Sequence, residues 1–332
     1  MIKSRAPTRI DLAGGTLDIW PIYLLFNGGL TLNLAIDRFT EASIKFRNDK
    51  EIHLRSEDLN EVVSFPSIES IEHNHTLGLI TRGIQFFQPD EGIDIKVKSN
   101  VPPGSGLGGS SSLIISLCAA LNELLNKNYS HSNLIDIAQD IETKSIKIPT
   151  GRQDYISAIY GGINSISYDL FKETITPIEL SNNYKEELLR SLMLVYIESH
   201  QSSISNWDIF KKIIDRDPKS WNSMLQIKKT AEKMHKALID ESFDKFHVLL
   251  GEEWKNRLNL SEKVCTQKMG KIIKIVSQID GDITFKTIGA GGGGCMLFSC
   301  LDKKELLSEE LTKYGLDILP FNFDLEGLSV KK

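Results

Sequence analysis

The segment VPPGSGLGGSSSL, residues 101–113, contains four glycines and four serines. The alternating apolar positions of GIDIKVKSNVP (92–102) predict a half-buried strand before it, and the apolar spacing of SLIISLCAALNELLNK (112–127) predicts a helix after it. Glycines let backbone N–H groups approach a bulky anion without a Cβ clash. A helix that begins near Ser110 directs its free N–H groups and its positive dipole end to the same place. The segment therefore predicts a phosphate-binding loop.

Two other interpretations of this segment stay open. One is a flexible linker, although strongly periodic elements lie on both sides of it. The other is a dinucleotide-binding loop, because GSGLGG (104–109) satisfies the pattern GxGxxG. Against it, Pro102 and Pro103 interrupt the end of the strand, and three serines follow where small apolar residues normally pack. A Walker A loop is excluded because no GK[ST] follows, and the protein-kinase signatures HRD and DFG are absent.

The composition predicts a globular protein of two domains. The chain has 332 residues, 41% of them hydrophobic and 25% charged, and a domain takes about 150 residues. The net charge is −5 and no basic tract stands out, so nucleic acid is not expected as a partner. No apolar stretch approaches the length of a membrane span, and the N-terminus does not resemble a signal peptide. We therefore expect no membrane association.

Cysteine usage points to a reducing compartment. The four cysteines are Cys118, Cys265, Cys295 and Cys300, and no CxxC spacing occurs among them. Buried or half-buried free thiols are the expected state of such residues. We therefore expect a cytoplasmic protein.

The order of predicted elements indicates an α+β fold. Strands are predicted at 37–48, 50–58, 92–102, 191–199, 283–289, 295–300 and 316–321, a hairpin at 161–180, and helices at 112–127, 131–145, 207–214, 221–239, 243–258 and 264–279. Ser132 is the expected cap of the second helix. A strand-rich half thus precedes a helix-rich half that closes with a small sheet. We predict domains at 1–180 and 181–332.

Two carboxylates that could complete a metal-dependent phosphate site follow the glycine loop in the sequence. They are Glu142 and Asp154, in IETKSIKIPTGRQDYISAIYGG (141–162). Hydroxyls of the loop beside a triphosphate suggest a Mg²⁺ ligand, since this ion prefers oxygen, and a carboxylate from elsewhere would complete its site. Each has a structural alternative. Glu142 could be a solvated helix acid and Asp154 the N-cap of the segment that follows it.

Glycines recur in two further segments, one near each end of the chain. RAPTRIDLAGGTLDIWP (5–21) contains Arg9, Asp11, a Gly-Gly pair and Asp18, and KTIGAGGGGCMLF (286–298) begins with Lys286. Five glycines beside a strand weaken a sheet without structural gain. The backbone of the second segment is therefore expected to pass very close to a ligand or to another part of the chain.

These three segments together resemble the motifs of the GHMP kinases, the family of galactokinase, homoserine kinase, mevalonate kinase and phosphomevalonate kinase. RAPTRIDLAGGTLD resembles the N-terminal substrate motif, VPPGSGLGGSSS the ATP loop PxxxGLGSSA, and KTIGAGGGGCMLF the C-terminal glycine motif. They occur in the family's order and span residues 5–298. The resemblance implies an N-terminal domain like ribosomal protein S5 domain 2 and a ferredoxin-like C-terminal domain. It also implies transfer of the γ-phosphoryl group of ATP to a small metabolite, in a site between the domains.

The resemblance also assigns roles to residues. Asp154 matches the proposed catalytic base, Arg9 the arginine near it, and Glu142 the acid that holds Mg²⁺ together with Ser110. Gly109 stands where the first loop serine is usual, which leaves Ser110 alone at the metal unless Ser111 substitutes. The residues expected to bind ATP are Pro103, Gly104, Ser105, Gly106, Leu107, Gly108, Gly109, Ser110 and Ser111.

The substrate motif resembles that of the heptose-7-phosphate 1-kinases and of fucokinase domains. Galactokinase carries Glu-His where this chain has Gly15 and Thr16. The chain also departs from the heptose and fucose kinases at Leu17, where they carry Thr or Ser, and at Ser203, where they often carry arginine. Asp18 is the first choice for binding sugar hydroxyls, with a turn-stabilising role as the alternative. The residues expected to bind substrate are Asp11, Gly14, Gly15, Asp18, Arg152, Lys286, Gly291 and Gly292.

The predicted activity is ATP-dependent phosphorylation of a sugar or sugar phosphate at its anomeric hydroxyl. The expected partners are ATP, Mg²⁺ and this small substrate. Three alternatives stay open: a mevalonate-type substrate, galactose or fucose, and a catalytically inactive sugar-sensing regulator. An NAD-dependent enzyme is a more distant alternative, from the GxGxxG match alone.

Overall fold

The protein is described by a computed structural model that covers residues 1–199, 202–279 and 281–332, with the backbone alone at 202–206 and 301. The strands are β1 (Ile2–Ala13), β2 (Gly29–Phe46), β3 (Ile52–Ser56), β4 (Glu61–Phe65), β5 (Ile93–Ser99), β6 (Ile163–Tyr168), β7 (Glu173–Pro177), β8 (Leu192–Glu198), β9 (Thr284–Thr287), β10 (Gly294–Ser299), β11 (Asp317–Leu319) and β12 (Ser329–Lys331). The helices are α1 (Ile22–Leu25), α2 (Gly78–Phe87), α3 (Gly109–Leu124), α4 (His131–Ile146), α5 (Gln153–Tyr160), α6 (Asn182–Ser191), α7 (Ser202–Ile214), α8 (Pro218–Ile239), α9 (Phe243–Leu258), α10 (Gln267–Val276) and α11 (Lys304–Lys313).

The larger sheet is built around β1 and β2. Its strand order is β12-β1-β2-β5-β3-β4, and β6 joins β2 at its other end and pairs with β7. β1 and β2 are antiparallel along most of their length. β1 was not predicted from the sequence, because its second half, from Ala6 to Ala13, is buried on both faces and therefore lacks the alternation of a half-exposed strand.

Helices α2 to α5 cover one face of this sheet. Buried side chains of α3, among them Ile115 and Leu117, meet apolar residues of β1, β2 and β5. α3 has polar serines only in its first turns, and the apolar residues that follow place it in the core. This packing fixes the N-terminus of α3 near the C-terminal end of β5.

The smaller sheet contains β11, β8, β10 and β9, in that order, and is antiparallel. One face packs on α10 and α11 through residues such as Met193, Phe298 and Leu307. α8 and α9 pack in a core that also contains β1, β2 and the other face of the smaller sheet. The helix pair therefore holds the end of β1 close to β9 and β10.

The predicted α+β class is confirmed, and so are the predicted strands, the hairpin of β6 and β7, and the predicted helices. Most ends agree within a few residues, but β2 begins at Gly29 and not at residue 37, and α7 begins at Ser202 and not at residue 207. The predicted cap of α4 was wrong. Ser130, with extended backbone, accepts a hydrogen bond from the amide of Asn133, whereas Ser132 lies inside the helix. The boundary at 180/181 stays a prediction; β12 returns from the C-terminus to pair with β1.

Candidate active site

The glycine loop joins β5 to α3. Gly104, Gly106 and Gly108 have positive φ angles of 67°, 76° and 74°. A Cβ on Gly106 would lie 2.6 Å from the carbonyl oxygen of Ile288, which leaves no room for a side chain. In the part of the chain that the structure describes, no side chain caps the N-terminus of α3. The loop thus presents backbone amides and the positive end of α3 to the space in front of it.

That space is a cleft of about 520 Å³. The glycine loop, Glu142 and Asp154 line it, together with an apolar wall. The apolar side chains are Leu59, Leu77, Leu79, Ile80, Val101, Leu113 and Ile146. The apolar wall was missed from the sequence because its residues come from several separate segments, and nothing in those segments shows that they meet.

The C-terminal glycine segment passes directly behind the glycine loop. The amide of Cys295 donates to the carbonyl oxygen of Ser105 at 2.7 Å, and a Cβ on Gly294 would lie 2.7 Å from the same oxygen. Gly289 and Ala290 reach the cleft. The expected close approach of this segment is therefore confirmed, and what it approaches is the glycine loop.

Arg9 and Asp154 form an ion pair on the wall of the cleft. Arg9 Nε and Nη2 both lie 2.7 Å from Asp154 Oδ1, and Nη1 donates to the carbonyl oxygen of Gly106 at 2.6 Å. Asp154 lies in the first turn of α5 and is not its N-cap, which is Arg152. Burial raises the pKa of the Asp154 carboxyl, and the positive charge of Arg9 opposes that rise. The pair leaves Asp154 Oδ2 for other partners, and a Cβ on Gly108 would lie 3.1 Å from it.

Glu142 lies in α4, with its carboxylate at the cleft. The hydroxyls of Ser111 and Tyr155 both donate to Glu142 Oε2 at 2.7 Å. Burial raises the pKa of Glu142, and hydrogen bonds from Tyr155, Ser110 and Ser111 oppose that shift. Glu142 is therefore not a solvated acid. Tyr155 was missed from the sequence, although it follows Asp154, because nothing in the pattern shows where its hydroxyl points.

Oxygen donors of the kind that Mg²⁺ prefers therefore meet at the cleft. They are the Glu142 carboxylate and the exposed Ser110 hydroxyl, both lining the cleft. Within the described residues, no group of three or more His, Cys, Asp or Glu side chains is arranged to hold a metal ion. The donor set fits an ion that takes its remaining ligands from phosphate and water.

Asp18 connects the turn at 14–18 to the start of α5. Its Oδ1 accepts from the amide of Thr16 and its Oδ2 from the amide of Gln153, both at 3.1 Å. Only 2% of Asp18 is exposed. Burial, together with the nearby negative charge of Asp154, raises the pKa of Asp18 to about 6.

Asp11 and Lys286 also come together, in the interior. Lys286 Nζ donates to the carbonyl oxygen of Asp11 at 2.7 Å, to Asp11 Oδ2 at 3.1 Å and to the carbonyl oxygen of Leu12 at 3.2 Å. Both side chains are fully buried. Arg257 and Glu253 of α9 join them and were missed from the sequence, since a Glu and an Arg four residues apart look like an ordinary surface pair of a helix.

The other residues expected to bind substrate are engaged with the protein itself. Arg152 contacts Glu173 at 2.7 Å and Asp136 at 2.9 Å. Gly14 lies against the Leu30 carbonyl, Gly15 against Asp11, and Gly291 and Gly292 against Val264. Their roles toward substrate stay predictions. The side chain of Ser203 lies outside the described residues.

No helix in the described ranges combines the length and apolar composition that crossing a membrane requires.

Comparison with known proteins places this geometry in a family. Residues 74–162, which include the glycine loop, Glu142 and Asp154, match the model for the GHMP kinases N terminal domain. A D-glycero-alpha-D-manno-heptose 7-phosphate kinase of Campylobacter jejuni is 30% identical over 334 residues, covering 98% of each chain. A galactokinase of Thermosipho africanus is 26% identical and covers 90% of this chain and 89% of its own.

The fold is shared with a solved kinase structure. The crystal structure of a D-glycero-D-manno-heptose 1-phosphate kinase from Bacteroides thetaiotaomicron superposes with a TM-score of 0.82 at 24% identity, covering 100% of this chain and 99% of its own. With a 30% identical relative matched over nearly its whole length, this chain belongs to the GHMP kinase family and is a phosphotransferase with an alcohol group as acceptor.

Proposed function

We propose that this enzyme transfers the γ-phosphoryl group of ATP to the anomeric hydroxyl of a sugar or sugar phosphate, with a heptose 7-phosphate as the first candidate. The observation that carries the proposal is the position of Asp154. It pairs with Arg9 through one carboxylate oxygen and has the other beside the glycine loop, in the lining of the cleft. A carboxylate beside a phosphate-binding loop is where the acceptor hydroxyl must be oriented.

The cleft offers a suitable surface to both the adenine ring and the phosphates of ATP. Its apolar wall, which includes Leu77, Ile80 and Val101, suits the adenine ring. The glycine loop suits the phosphates, because free amides and a helix N-terminus attract negative charge. The residues proposed to bind ATP are those predicted from the sequence, from Pro103 to Ser111.

Ser110 and Glu142 would hold Mg²⁺. Ser111 is buried and donates its hydroxyl to Glu142, whereas the Ser110 hydroxyl is exposed beside the same carboxylate, which favours Ser110 as the loop ligand. When bound, the ion neutralises charge on the phosphate oxygens. Glu142 would keep its orientation through Tyr155 and Ser111, which hold Oε2 from two sides.

The transfer needs a proton acceptor and a nearby positive charge. The acceptor oxygen forms a bond to the γ-phosphorus while the bond from that phosphorus to the β–γ bridging oxygen breaks, and ADP leaves. Asp154 orients the acceptor hydroxyl and takes its proton on Oδ2, since Oδ1 is held by Arg9. The positive charge of Arg9 favours the ionised form of Asp154 and stabilises negative charge that develops nearby.

A sugar acceptor is supported by the names of the relatives. Asp18 is 2% exposed, is not among the residues that line the cleft, and already accepts from two backbone amides. Its remaining acceptor positions would therefore reach sugar hydroxyls only if the turn at 14–18 opened. Arg152 and Lys286, the cations among the residues expected to bind substrate, already contact protein acceptors. A distal phosphate would therefore have to compete with those contacts.

The test measures MgATP-dependent ADP release with D-glycero-D-manno-heptose 7-phosphate, the free heptose, fucose, galactose and mevalonate, and locates the new phosphate by ³¹P NMR. We expect a sugar 1-phosphate product. Turnover of mevalonate alone, or a phosphate on any oxygen other than the anomeric one, would overturn the proposal. ATP binding without turnover of any of the five would favour the sugar-sensing regulator.

Two further proposals concern architecture and location. We assign residues 1–180 to a domain like ribosomal protein S5 domain 2 and residues 181–332 to a ferredoxin-like domain, which the four-stranded antiparallel sheet supports. A cytoplasmic location is supported by the free thiols of all four cysteines.

A further inference from the structure

Four charged side chains lie together in the interior, behind the cleft. This charge cluster consists of Asp11, Glu253, Arg257 and Lys286, and all four side chains are 0% exposed. Arg257 Nη2 lies 2.9 Å from Glu253 Oε1 and 3.9 Å from Asp11 Oδ2, and Lys286 Nζ lies 3.1 Å from Asp11 Oδ2. The two acids and two bases balance in charge.

Such a cluster is a costly way to fill an interior. Burying an ion pair often gains nothing over apolar residues of the same size. Three buried polar atoms here, namely Asp11 Oδ1, Glu253 Oε2 and Arg257 Nε, have no hydrogen-bond partner within the described residues. Stability alone therefore does not account for the charge cluster, and its geometry points to a role in placing the segments that it joins.

Arg257 joins the two segments that border the acceptor side and the nucleotide side of the site. Nη2 donates to the carbonyl oxygen of Gly15 at 3.0 Å, within the turn at 14–18, and Nη1 donates to that of Gly289 at 3.4 Å. Gly289 lies at the cleft, and the preceding residue, Ile288, packs against Gly106 of the glycine loop. One guanidinium thus contacts the turn that contains Asp18 and the segment behind the glycine loop.

Gly15 packs tightly against the charge cluster. A Cβ on Gly15 would lie 2.7 Å from Asp11 Oδ2 and 3.0 Å from Arg257 Nη2. The backbone of the turn at 14–18 therefore packs directly on Asp11 and Arg257, with no side chain between them. Rigid contacts of this kind can carry energetic coupling between two sites, and such coupling must be measured before it is accepted.

We infer that Arg257 is a positioning residue that couples nucleotide binding at the glycine loop to the conformation of the acceptor-side turn at residues 14–18. The inference rests on the proposed function, in which ATP lies at the glycine loop and the acceptor near Asp18. Glu253 and Asp11 hold the guanidinium, and Lys286 holds Asp11. Arg257 itself contacts neither substrate.

The experiment is hydrogen exchange measured by mass spectrometry, with and without Mg²⁺ and a non-hydrolysable ATP analogue. In the unaltered enzyme, the analogue should slow amide exchange both in the glycine loop and in the turn at 14–18. Arg257→Lys keeps the positive charge but cannot reach both carbonyl oxygens. In this variant, protection of the glycine loop should remain, while the added protection at 14–18 should fall by about tenfold, within the usual range of coupling between sites.

The matched control is Lys255→Ala, which removes an exposed cation from the same helix. This variant should leave the protection by the analogue unchanged, both in the glycine loop and in the turn at 14–18. Glu253→Gln tests the same coupling with Arg257 present but less firmly held, and it replaces Arg257→Lys should that variant not fold. A merely structural role would raise exchange equally with and without the analogue.

The inference is overturned if the analogue does not protect residues 14–18 in the unaltered enzyme. It is also overturned if that protection persists in both Arg257→Lys and Glu253→Gln. This measurement needs no acceptor, so it is separate from the proposed activity. An enzyme that shows the coupling but phosphorylates none of the sugars would disprove the proposed acceptor and leave the role of Arg257 standing.

Discussion

Asp18 and Gly151 are in direct contact, and a Cβ on Gly151 would overlap Asp18 Oδ2. The same oxygen accepts a hydrogen bond from the amide of Gln153, in the first turn of α5. Asp154, the next residue, pairs with Arg9. The distance between the acceptor-side turn and the proposed base therefore depends on a residue that has no side chain.

Replacing Gly151 by alanine should disturb that distance. The added methyl group must push Asp18 or the start of α5 away, and such overpacking typically costs about 1–3 kcal/mol of stability. Because both displaced groups belong to the proposed site, kcat/KM for the acceptor should fall more than nucleotide affinity does. Urea denaturation measures the loss of stability. Steady-state kinetics measure kcat/KM for the acceptor, and nucleotide titration measures nucleotide affinity.

Gly270→Ala is the matched control for this substitution. Gly270 lies within α10, and a Cβ there would meet nothing within 4 Å. Alanine should stabilise the helix by roughly 0.5–1 kcal/mol and leave the kinetics unchanged. If Gly151→Ala behaves like Gly270→Ala, the contact with Asp18 does not matter for the site.

Part of the site could be predicted from local sequence. A glycine-rich loop between a strand and a helix has few structural uses, so phosphate binding could be predicted for Gly104 to Ser112 from that segment alone. Glu142 and Asp154 needed the family resemblance as well, because distance along the chain does not bring a carboxylate to a loop. The structure places both at the same cleft as the loop.

The remainder depends on tertiary contacts that leave no local pattern. Arg257 and Glu253 look like a solvated helical pair and are fully buried. Lys286 was predicted as a substrate cation from its place beside the glycines, whereas its ammonium reaches across to β1. Choosing between Ser130 and Ser132 as the cap of α4 also depends on backbone conformation, which the sequence does not display.

Asp154→Asn should lower kcat by roughly 10²-fold or more, the usual scale for loss of a proton-accepting group. The amide keeps the size of the carboxylate but removes its charge and its capacity to take the proton. Nucleotide affinity should be largely retained, because the backbone of the glycine loop is unchanged. Single-turnover kinetics and titration with a non-hydrolysable ATP analogue separate the two effects.

Asp140→Asn is the control for that measurement, since Asp140 is an exposed carboxylate in α4. It should show the kinetics of the unaltered enzyme. Near-full turnover by Asp154→Asn would show that another group accepts the proton.

Tyr155→Phe should raise the Mg²⁺ concentration needed for half-maximal activity and change kcat at saturating Mg²⁺ only slightly. The substitution removes the hydroxyl that donates to Glu142 Oε2 at 2.7 Å, and loss of a group that orients a metal ligand typically weakens binding by about 10–100-fold. Glu142→Gln should have the larger effect. Mn²⁺ binding in the presence of nucleotide, followed by electron paramagnetic resonance, provides a readout that is independent of turnover.

Tyr160→Phe is the control for Tyr155→Phe, because Tyr160 belongs to the same helix and is 41% exposed. It should not alter the metal dependence. Equal metal dependence in both tyrosine variants would separate Tyr155 from the metal site.

Gly106→Val should abolish ATP binding in a folded protein. Gly106 has a φ of 76°, which a branched residue rarely adopts, and its Cβ would lie 2.6 Å from the carbonyl oxygen of Ile288. The loop must therefore move away from the C-terminal glycine segment, and its amides lose their common direction. Nucleotide titration and circular dichroism test this, and normal affinity in the folded variant would contradict the loop assignment.

The raised pKa of Asp18 predicts a pH dependence of stability with a definite sign. In the folded protein this pKa is about 6, against an ordinary value of 3.8. The folded state therefore takes up a proton near pH 6, and the unfolded state only near pH 4. Between these values the folded state binds more protons, so the contribution of Asp18 to stability increases as the pH falls. A shift of this size corresponds to about 3 kcal/mol at most.

Asp18→Asn has no such titration. The free energy of unfolding of the unaltered enzyme, minus that of Asp18→Asn, should therefore rise by about 2–3 kcal/mol between pH 7 and pH 4. Urea denaturation at several pH values measures this difference, in which the effects of other titrating groups largely cancel. Asp140→Asn again serves as control, because it shows the general effect of removing one negative charge. A difference that stays constant, or that falls toward pH 4, would mean that Asp18 is ionised in the folded protein with an ordinary or lowered pKa, and that burial beside Asp154 does not penalise its charge.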